Sequence, residues 1–184
     1  IFGLNTKFVR DTFVGTVETK LSSGFGLRYD IVNDVELSHT LNRNETLDYL
    51  AFGNVNQTNM FGFLNADFKL GKFVIAPALR LDYFKFMYND NLVSQYETLS
   101  ETKTRLSPKL NVLFNQNKNL QWFLKSGIGF HSNDSRVVVQ QNGKDILPKA
   151  YGSDLGLIWK PTPKMVFNSA FWYLFLEQEF VYVG

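Results

Sequence analysis

With 184 residues, 45% of them hydrophobic and 20% charged, the chain is long enough for one domain with a sizeable core and too apolar for a disordered tail. Its apolar runs fall far short of a membrane-spanning helix, and a net charge of +2 with scattered basic residues offers no footprint for nucleic acid. The absence of cysteine removes disulfides, thiolate nucleophiles and thiolate metal sites together, while 18 Phe and 8 Tyr favour strands on a half-buried or lipid-facing surface.

Two-residue alternation predicts about eight strands, near 1–9, 16–32, 48–69, 72–88, 102–115, 119–131, 148–160 and 164–181. In the second, Phe25, Leu27, Tyr29 and Ile31 oppose Gly24, Gly26, Arg28 and Asp30. In the third, Met60, Leu64, Ala66 and Phe68 oppose Asn65, Asp67 and Lys69, and in the fourth Phe73, Ile75, Leu79, Leu81 and Tyr83 oppose Ala76, Ala78, Arg80 and Asp82. The fifth sets Leu106, Pro108, Leu110, Val112 and Phe114 against Arg105, Ser107, Lys109 and Asn111. The sixth sets Leu120, Trp122, Leu124, Ile128 and Phe130 against Gln121, Lys125, Gly127, Gly129 and His131. The seventh sets Tyr151, Leu155, Leu157 and Trp159 against Gly152, Asp154, Gly156 and Lys160. Met165–Leu176 is apolar on both faces, which leaves its register open.

The connections alternate in length. Leu70 to Lys72, Asn115 to Lys118 and Pro161 to Pro163 read as short turns, whereas roughly Val32 to Leu47, Asn89 to Thr102 and Ser132 to Leu147 read as long polar segments. A meander with tight turns at one rim and long loops at the other is the layout of an outer-membrane barrel. Phe68, Phe73, Phe114, Trp122 and Trp159 flank the short turns as an aromatic girdle. Eight strands could close a small barrel, but inward Arg28, Asp30, Arg80, Asp82, Lys109, Lys125 and Asp154 are many charges for a side-chain-filled interior, so a section of a wider barrel fits better. The chain opens on Ile1-Phe2-Gly3-Leu4 and closes on Val181-Tyr182-Val183-Gly184, without an export signal at its start, and reads as part of a longer protein.

Catalytic signatures are absent. His39 and His131 have no metal-ligand spacing and read as polar strand-end residues, the serines lack a G-x-S-x-G elbow, and the pairs Gly24/Gly26 and Gly127/Gly129 open no helix that could hold a nucleotide. Neither a cofactor nor a metal is expected. Gly24, Gly26, Gly127, Gly129, Gly152 and Gly156 share the inward parity, which fits either a separate folded element packed against the wall or the relief of curvature and bulges.

The run Arg105-Leu106-Ser107-Pro108-Lys109-Leu110, then Gly127-Ile128-Gly129-Phe130-His131-Ser132-Asn133-Asp134, Leu147-Pro148-Lys149-Ala150-Tyr151-Gly152-Ser153-Asp154-Leu155-Gly156 and Trp159-Lys160-Pro161-Thr162-Pro163-Lys164 resembles the barrel of TonB-dependent receptors, especially those of Bacteroidetes-like Gram-negative bacteria. The resemblance covers most of the chain from about Gly24 onward. It implies a 22-stranded transmembrane antiparallel β-barrel in the outer membrane, filled by an N-terminal plug, that imports a siderophore or other metal chelate with energy relayed by the TonB complex. Residues 1–184 then form a partial barrel domain, in which neither the plug nor the TonB box is recognised.

The expected partners are outer-membrane lipid and lipopolysaccharide, the protein's own plug, the TonB complex indirectly and an imported small molecule. The expected ligand path or plug-facing wall is Arg28, Arg80, Asp82, Lys109, Lys125, Gly127, Gly129, His131 and Asp154. The alternatives are a soluble β-barrel or sandwich binding module, and a small outer-membrane enzyme built on Asp82 or His131.

Overall fold

The computed structural model describes residues 1–94, 98–131 and 146–178. They form one antiparallel sheet of eight strands in chain order, each paired with the next: β1 (Phe2–Val14), β2 (Val17–Leu41), β3 (Glu45–Leu70), β4 (Phe73–Asp90), β5 (Thr98–Asn117), β6 (Leu120–Phe130), β7 (Lys149–Thr162) and β8 (Met165–Leu176). Among the described residues β1 and β8 do not meet, so the sheet is an open section of wall. At one rim it turns tightly, and Gly15 and Gly71 supply the positive φ of 62° that two of these turns require.

Two expected loops are largely strand. Val32–Leu47 belongs to β2 and β3, which run 25 and 26 residues and leave only a tight turn between Leu41 and Glu45. Register shifts between Val32 and Val35, Leu37 and Ser38, and His39 and Thr40 break the alternation there, so the polar run looked like a loop. The Asn89–Thr102 segment shrinks similarly, because β4 reaches Asp90 and β5 starts at Thr98. The Ser132–Leu147 loop lies mostly outside the described residues, as does the expected end of the last strand beyond residue 178.

Register places the apolar rows on one continuous face. Leu27 pairs with Met60, Met60 with Tyr83, Leu64 with Leu79 and Leu79 with Pro108; further along, Leu124 pairs with Leu155 and Leu155 with Phe171. This settles β8, whose Phe167, Phe171, Tyr173 and Phe175 join the apolar face while Trp172 and Leu174 fall on the polar one. Apolar-face side chains remain open, Leu64 at 57% and Leu155 at 55% exposure among them. Near the tight-turn rim Phe73 stacks on Phe114 at 4.7 Å and Trp159 on Phe167 at 5.5 Å, as expected of a girdle.

The buried cluster sits on the opposite, polar face towards the other rim. Phe84, Phe86 and Tyr88 project there at alternate positions of β4, beneath Ile146 and Leu147. Phe84 stacks on Phe86 at 5.5 Å, and Phe130 meets Phe84 edge-on at 5.6 Å, leaving its apolar row where β5–β6 pairing has ended at Lys109 and Gly127. Arg105 Nε donates to the Leu147 carbonyl at 2.6 Å, and the His131 amide donates to the Pro148 carbonyl at 3.3 Å, which ties residues 146–148 across the wall. At the same rim the Tyr151 hydroxyl and the Lys149 amide donate to Glu177, holding its carboxyl below the ordinary value. A carboxylate shifted downwards stabilises at neutral pH, and that help is lost as pH falls through the depressed value.

Several glycines of the polar face are covered by aromatic rings from the neighbouring strand. A Cβ at Gly24 would stand 2.7 Å from Phe63 Cε1, and one at Gly156 would stand 2.5 Å from Phe123 Cζ; both rings come from the directly opposite residue. The ring lies against the bare backbone and restores packing that glycine alone would forfeit. Gly129 and Gly152, by contrast, have nothing within 4 Å of a Cβ. Gly156→Ala in the complete protein should therefore cost about 1–3 kcal/mol by overpacking, whereas Gly152→Ala should be near neutral. Urea unfolding of the two variants checks this, and equal midpoints would show that a side chain at position 156 is tolerated although its Cβ would stand 2.3 Å from the Ser169 backbone oxygen and 2.5 Å from Phe123.

Candidate functional site

All nine sequence-selected residues except His131 lie within strands on the polar face, but they fall into separate groups. On β2, Arg28 pairs with Asp30 at 2.8 Å and stays largely exposed. On β4, Asp82 is fully buried: Arg80 Nε reaches one carboxylate oxygen at 2.7 Å and Arg80 Nη2 the other at 2.8 Å, and Asn59 Nδ2 donates at 3.2 Å. The Arg80 guanidinium also lies 3.8 Å from the Phe61 ring centre. Asp82 therefore has no lone pair facing a passing molecule, and its work is to aim Arg80.

The third group surrounds a groove of about 580 Å³ on β5–β8. Its floor is nearly bare backbone, since Gly127 pairs with Gly152 and Gly129 with Ala150. Lys109 stands opposite Gly127, and Asn111, Lys125 and Asp154 are successive cross-strand neighbours. Trp172 and Leu174 complete the far side. The Lys125 ammonium rests 4.7 Å from the Phe123 ring centre. A wet groove with two flexible cations, one carboxylate and an indole can hold an anionic, partly aromatic solute reversibly: each ammonium contributes about 1 kcal/mol at ~4 Å in water-like surroundings. Trp172 and Leu174 escaped the sequence reading because β8 is apolar on both faces. Asn111 carried the signal, in that it shares the parity of Lys109.

His131 sits just past β6, and both of its ring nitrogens are buried without a hydrogen-bond partner. Asn133 and Asp134 lie outside the described residues. Among the described residues no cluster of three His, Asp or Glu side chains could hold a metal ion.

An antiparallel meander with one open apolar face and a wet, charged opposite face is a section of a transmembrane β-barrel wall. The family model for the TonB dependent receptor-like β-barrel matches residues 2–174, and the chain belongs to that family. Its fold resembles the ferric citrate transporter FecA in the unliganded form, with a TM-score of 0.72 and 15% identity over 85% of this chain and 24% of that one. It also resembles the ferric-catecholate import receptor Fiu of E. coli K12. The closed form gives a TM-score of 0.72 and 13% identity, over 94% of this chain and 30% of that one; the open form gives 0.67 and 13%, over 95% and 30%. The chain thus spans 24% to 30% of the length of these receptors. No curated protein matches it in sequence. The family and these neighbours are outer-membrane receptors and transporters of Gram-negative bacteria rather than enzymes.

Removing the Asp82 carboxylate leaves Arg80 and Asn59 without their shared acceptor. Asp82→Ala should destabilise the complete receptor by about 1–3 kcal/mol, and Asp154→Ala, which removes a half-buried carboxylate with no ion pair among the described residues, by far less. Denaturant midpoints of the two variants in detergent test the assignment, and similar losses would contradict it.

Proposed function

We propose that this chain is part of the wall of a receptor that imports a ferric chelate across the outer membrane, driven by the TonB complex. The observation that carries the reading is the division of one sheet into an open apolar face and a wet face bearing Lys109 and Lys125. The likeness of the fold to a ferric citrate transporter and a ferric-catecholate import receptor supports an anionic iron complex as the cargo. A soluble barrel or sandwich is not favoured, because the rows that would form its core stand open on the outside of a single sheet.

On this reading residues 1–184 contribute barrel alone. Further strands close a wider barrel of about 22 strands, within the range known for such proteins. A plug fills it and makes the contact with TonB, and outer-membrane lipid and lipopolysaccharide cover the apolar face. The open floor at Gly129 and Gly152 faces the plug, while Arg28, Arg80, Lys109, Lys125, His131 and Asp154 border the ligand path, with Gly127 beneath Lys109 and Asp82 holding Arg80 in place.

Radioiron uptake by iron-limited cells carrying the complete receptor tests the proposal, with ferric citrate and a ferric catecholate as probes. Uptake of one of them should stop when the proton gradient is dissipated. Lys109→Glu with Lys125→Glu should cut it about tenfold, equivalent to about 1.4 kcal/mol, at an unchanged amount of receptor in the outer membrane. Uptake of neither probe defeats the ferric-chelate reading, and full uptake by the double variant removes the groove from the path.

A further inference from the structure

Height along the strands puts the features of the polar face in order. At ~3.3 Å per residue and a strand tilt of ~40°, each residue climbs about 2.5 Å from the tight-turn rim. Lys109 lies five residues above Phe114 and Lys125 three above Trp122, which places them about 13 Å and about 8 Å above the girdle. The apolar band of an outer-membrane barrel is about 25 Å tall, so the two lysines sit at or below its middle. Arg105 stands four residues above Lys109 on the same face of β5, about 10 Å higher.

Between the groove and the outer rim lies a ledge. Gly129 and Ala150 floor the upper end of the groove, and two residues before Ala150 the chain leaves the ladder. The Pro148 carbonyl accepts the His131 amide at 3.3 Å, and the Leu147 carbonyl accepts Arg105 Nε at 2.6 Å. Ile146 and Leu147 are buried against Phe84, Phe86 and Tyr88 of β4. Residues 146–148 therefore cross the polar face from the end of β6 to β4, above the groove. A solute descending from the outer rim along this wall meets the ledge first and reaches Lys109 only after passing it.

The groove is also too weak for first capture. Each loose ammonium at ~4 Å from an anion in water-like surroundings favours binding about fivefold, so Lys109 and Lys125 together give about 25-fold. An aromatic contact on the exposed Trp172 adds about tenfold at most. Half-filling a site from a solute at ~1 μM takes an association constant of about 10⁶ M⁻¹, far beyond what these factors supply. Weak, exchangeable binding suits passage instead, because the solute leaves as readily as it enters. We propose that the groove is a transit site, occupied by an anionic chelate after it has left a tighter site nearer the outer rim. Lys109 and Lys125 then set the rate of import rather than the affinity of capture. This assignment rests on the import reading given above and fixes the stage at which the groove acts within it.

The test separates binding from uptake in iron-limited cells carrying the complete receptor, with radioiron citrate and a radioiron catecholate as probes. Binding is measured with the proton gradient dissipated, and initial uptake over a range of concentrations with the gradient intact. Lys109→Glu with Lys125→Glu should lower the maximal uptake rate about tenfold while the dissociation constant for binding stays within about twofold of native, at an unchanged amount of receptor in the outer membrane. Lys109→Arg with Lys125→Arg keeps both charges and should retain at least about half of the native rate. A dissociation constant raised about tenfold by the Glu pair would make the groove the capture site and overturn the proposal. So would an Arg pair as slow as the Glu pair, which would trace the loss to packing rather than charge. A maximal rate untouched by the Glu pair overturns it as well, and takes the groove off the path altogether. Should the Glu pair not reach the outer membrane, Lys109→Gln with Lys125→Gln must show the same split, a slower rate at native affinity, for the proposal to stand. If the native receptor takes up neither probe, the ferric-chelate reading has failed and the transit site falls with it, an outcome told apart because it needs no substitution.

Discussion

The wall depends on backbone pairing. In hydrocarbon an unpaired amide costs several kcal/mol, so a strand can lie beside lipid only when both of its edges are taken by neighbours. Here each strand meets the next in sequence, and β2 through β7 are paired on both sides. Once that ladder exists the pleat leaves no freedom over faces wherever the register is unbroken: odd and even positions are committed to opposite sides, and each strand inherits the choice from its neighbour. The Leu64–Leu79–Pro108 row and the Asn59–Phe84–Lys103 row, traced across β3–β5, are two consequences of one constraint. It also explains the demand on β1 and β8, whose outer edges pair with no strand among the described residues and which further strands of a barrel would satisfy.

A sheet one layer thick has no second layer to press against, and the polar face compensates locally. Phe63 over Gly24 and Phe123 over Gly156 are cross-strand pairs in which one residue supplies the ring and the other the room for it. The cluster of Phe84, Phe86 and Tyr88 under Ile146 and Leu147 does this on a larger scale, using the segment before β7 as a partial second layer. The buried Asp82 belongs to the same logic. With Arg80 on both oxygens and Asn59 on one, its desolvation is offset by charge-assisted bonds, and the guanidinium is held over Phe61.

Residues with a clean period were legible in the sequence. Phe73 to Tyr83 and Arg105 to Phe114 gave their strands and faces because each alternates with a single large apolar residue, Val74 or Leu113, on the polar side. Val32 to Leu47 did not, because three register shifts move side chains across the sheet and erase the period that a reader follows. Met165 to Leu176 failed for another reason: Trp172 and Leu174 are apolar on the wet face, and only pairing with β7 separates them from Phe171 and Tyr173. At the candidate site the polar parity was readable while the partners were not. Arg80 and Asp82 are two positions apart in one strand, and nothing in their spacing says that one is buried, that Asn59 reaches across from β3, or that Lys109 stays free. Gly24 and Gly129 looked equivalent by parity, yet one is covered by a ring from across the ladder and the other is bare.

That difference between the fixed and the free charges bears on how such a wall can serve a moving solute. An anion that displaced Asp82 from Arg80 would strip a buried carboxylate of its partners, so the Arg80 pair resists exchange. Lys109 and Lys125 have no buried ion pair to lose. Lys109 lies over Gly127 and Lys125 rests over the Phe123 ring, and an anion can gain from both ammonium groups and leave again without stripping a buried charge. A path built only of locked pairs would present no attraction, and one built of rigid, desolvated cations would hold its cargo too long. On the proposed import reading, a buried carboxylate that stiffens one part of the face and unpaired cations that line another would meet both requirements, and the division follows from which side chains find a partner across the ladder.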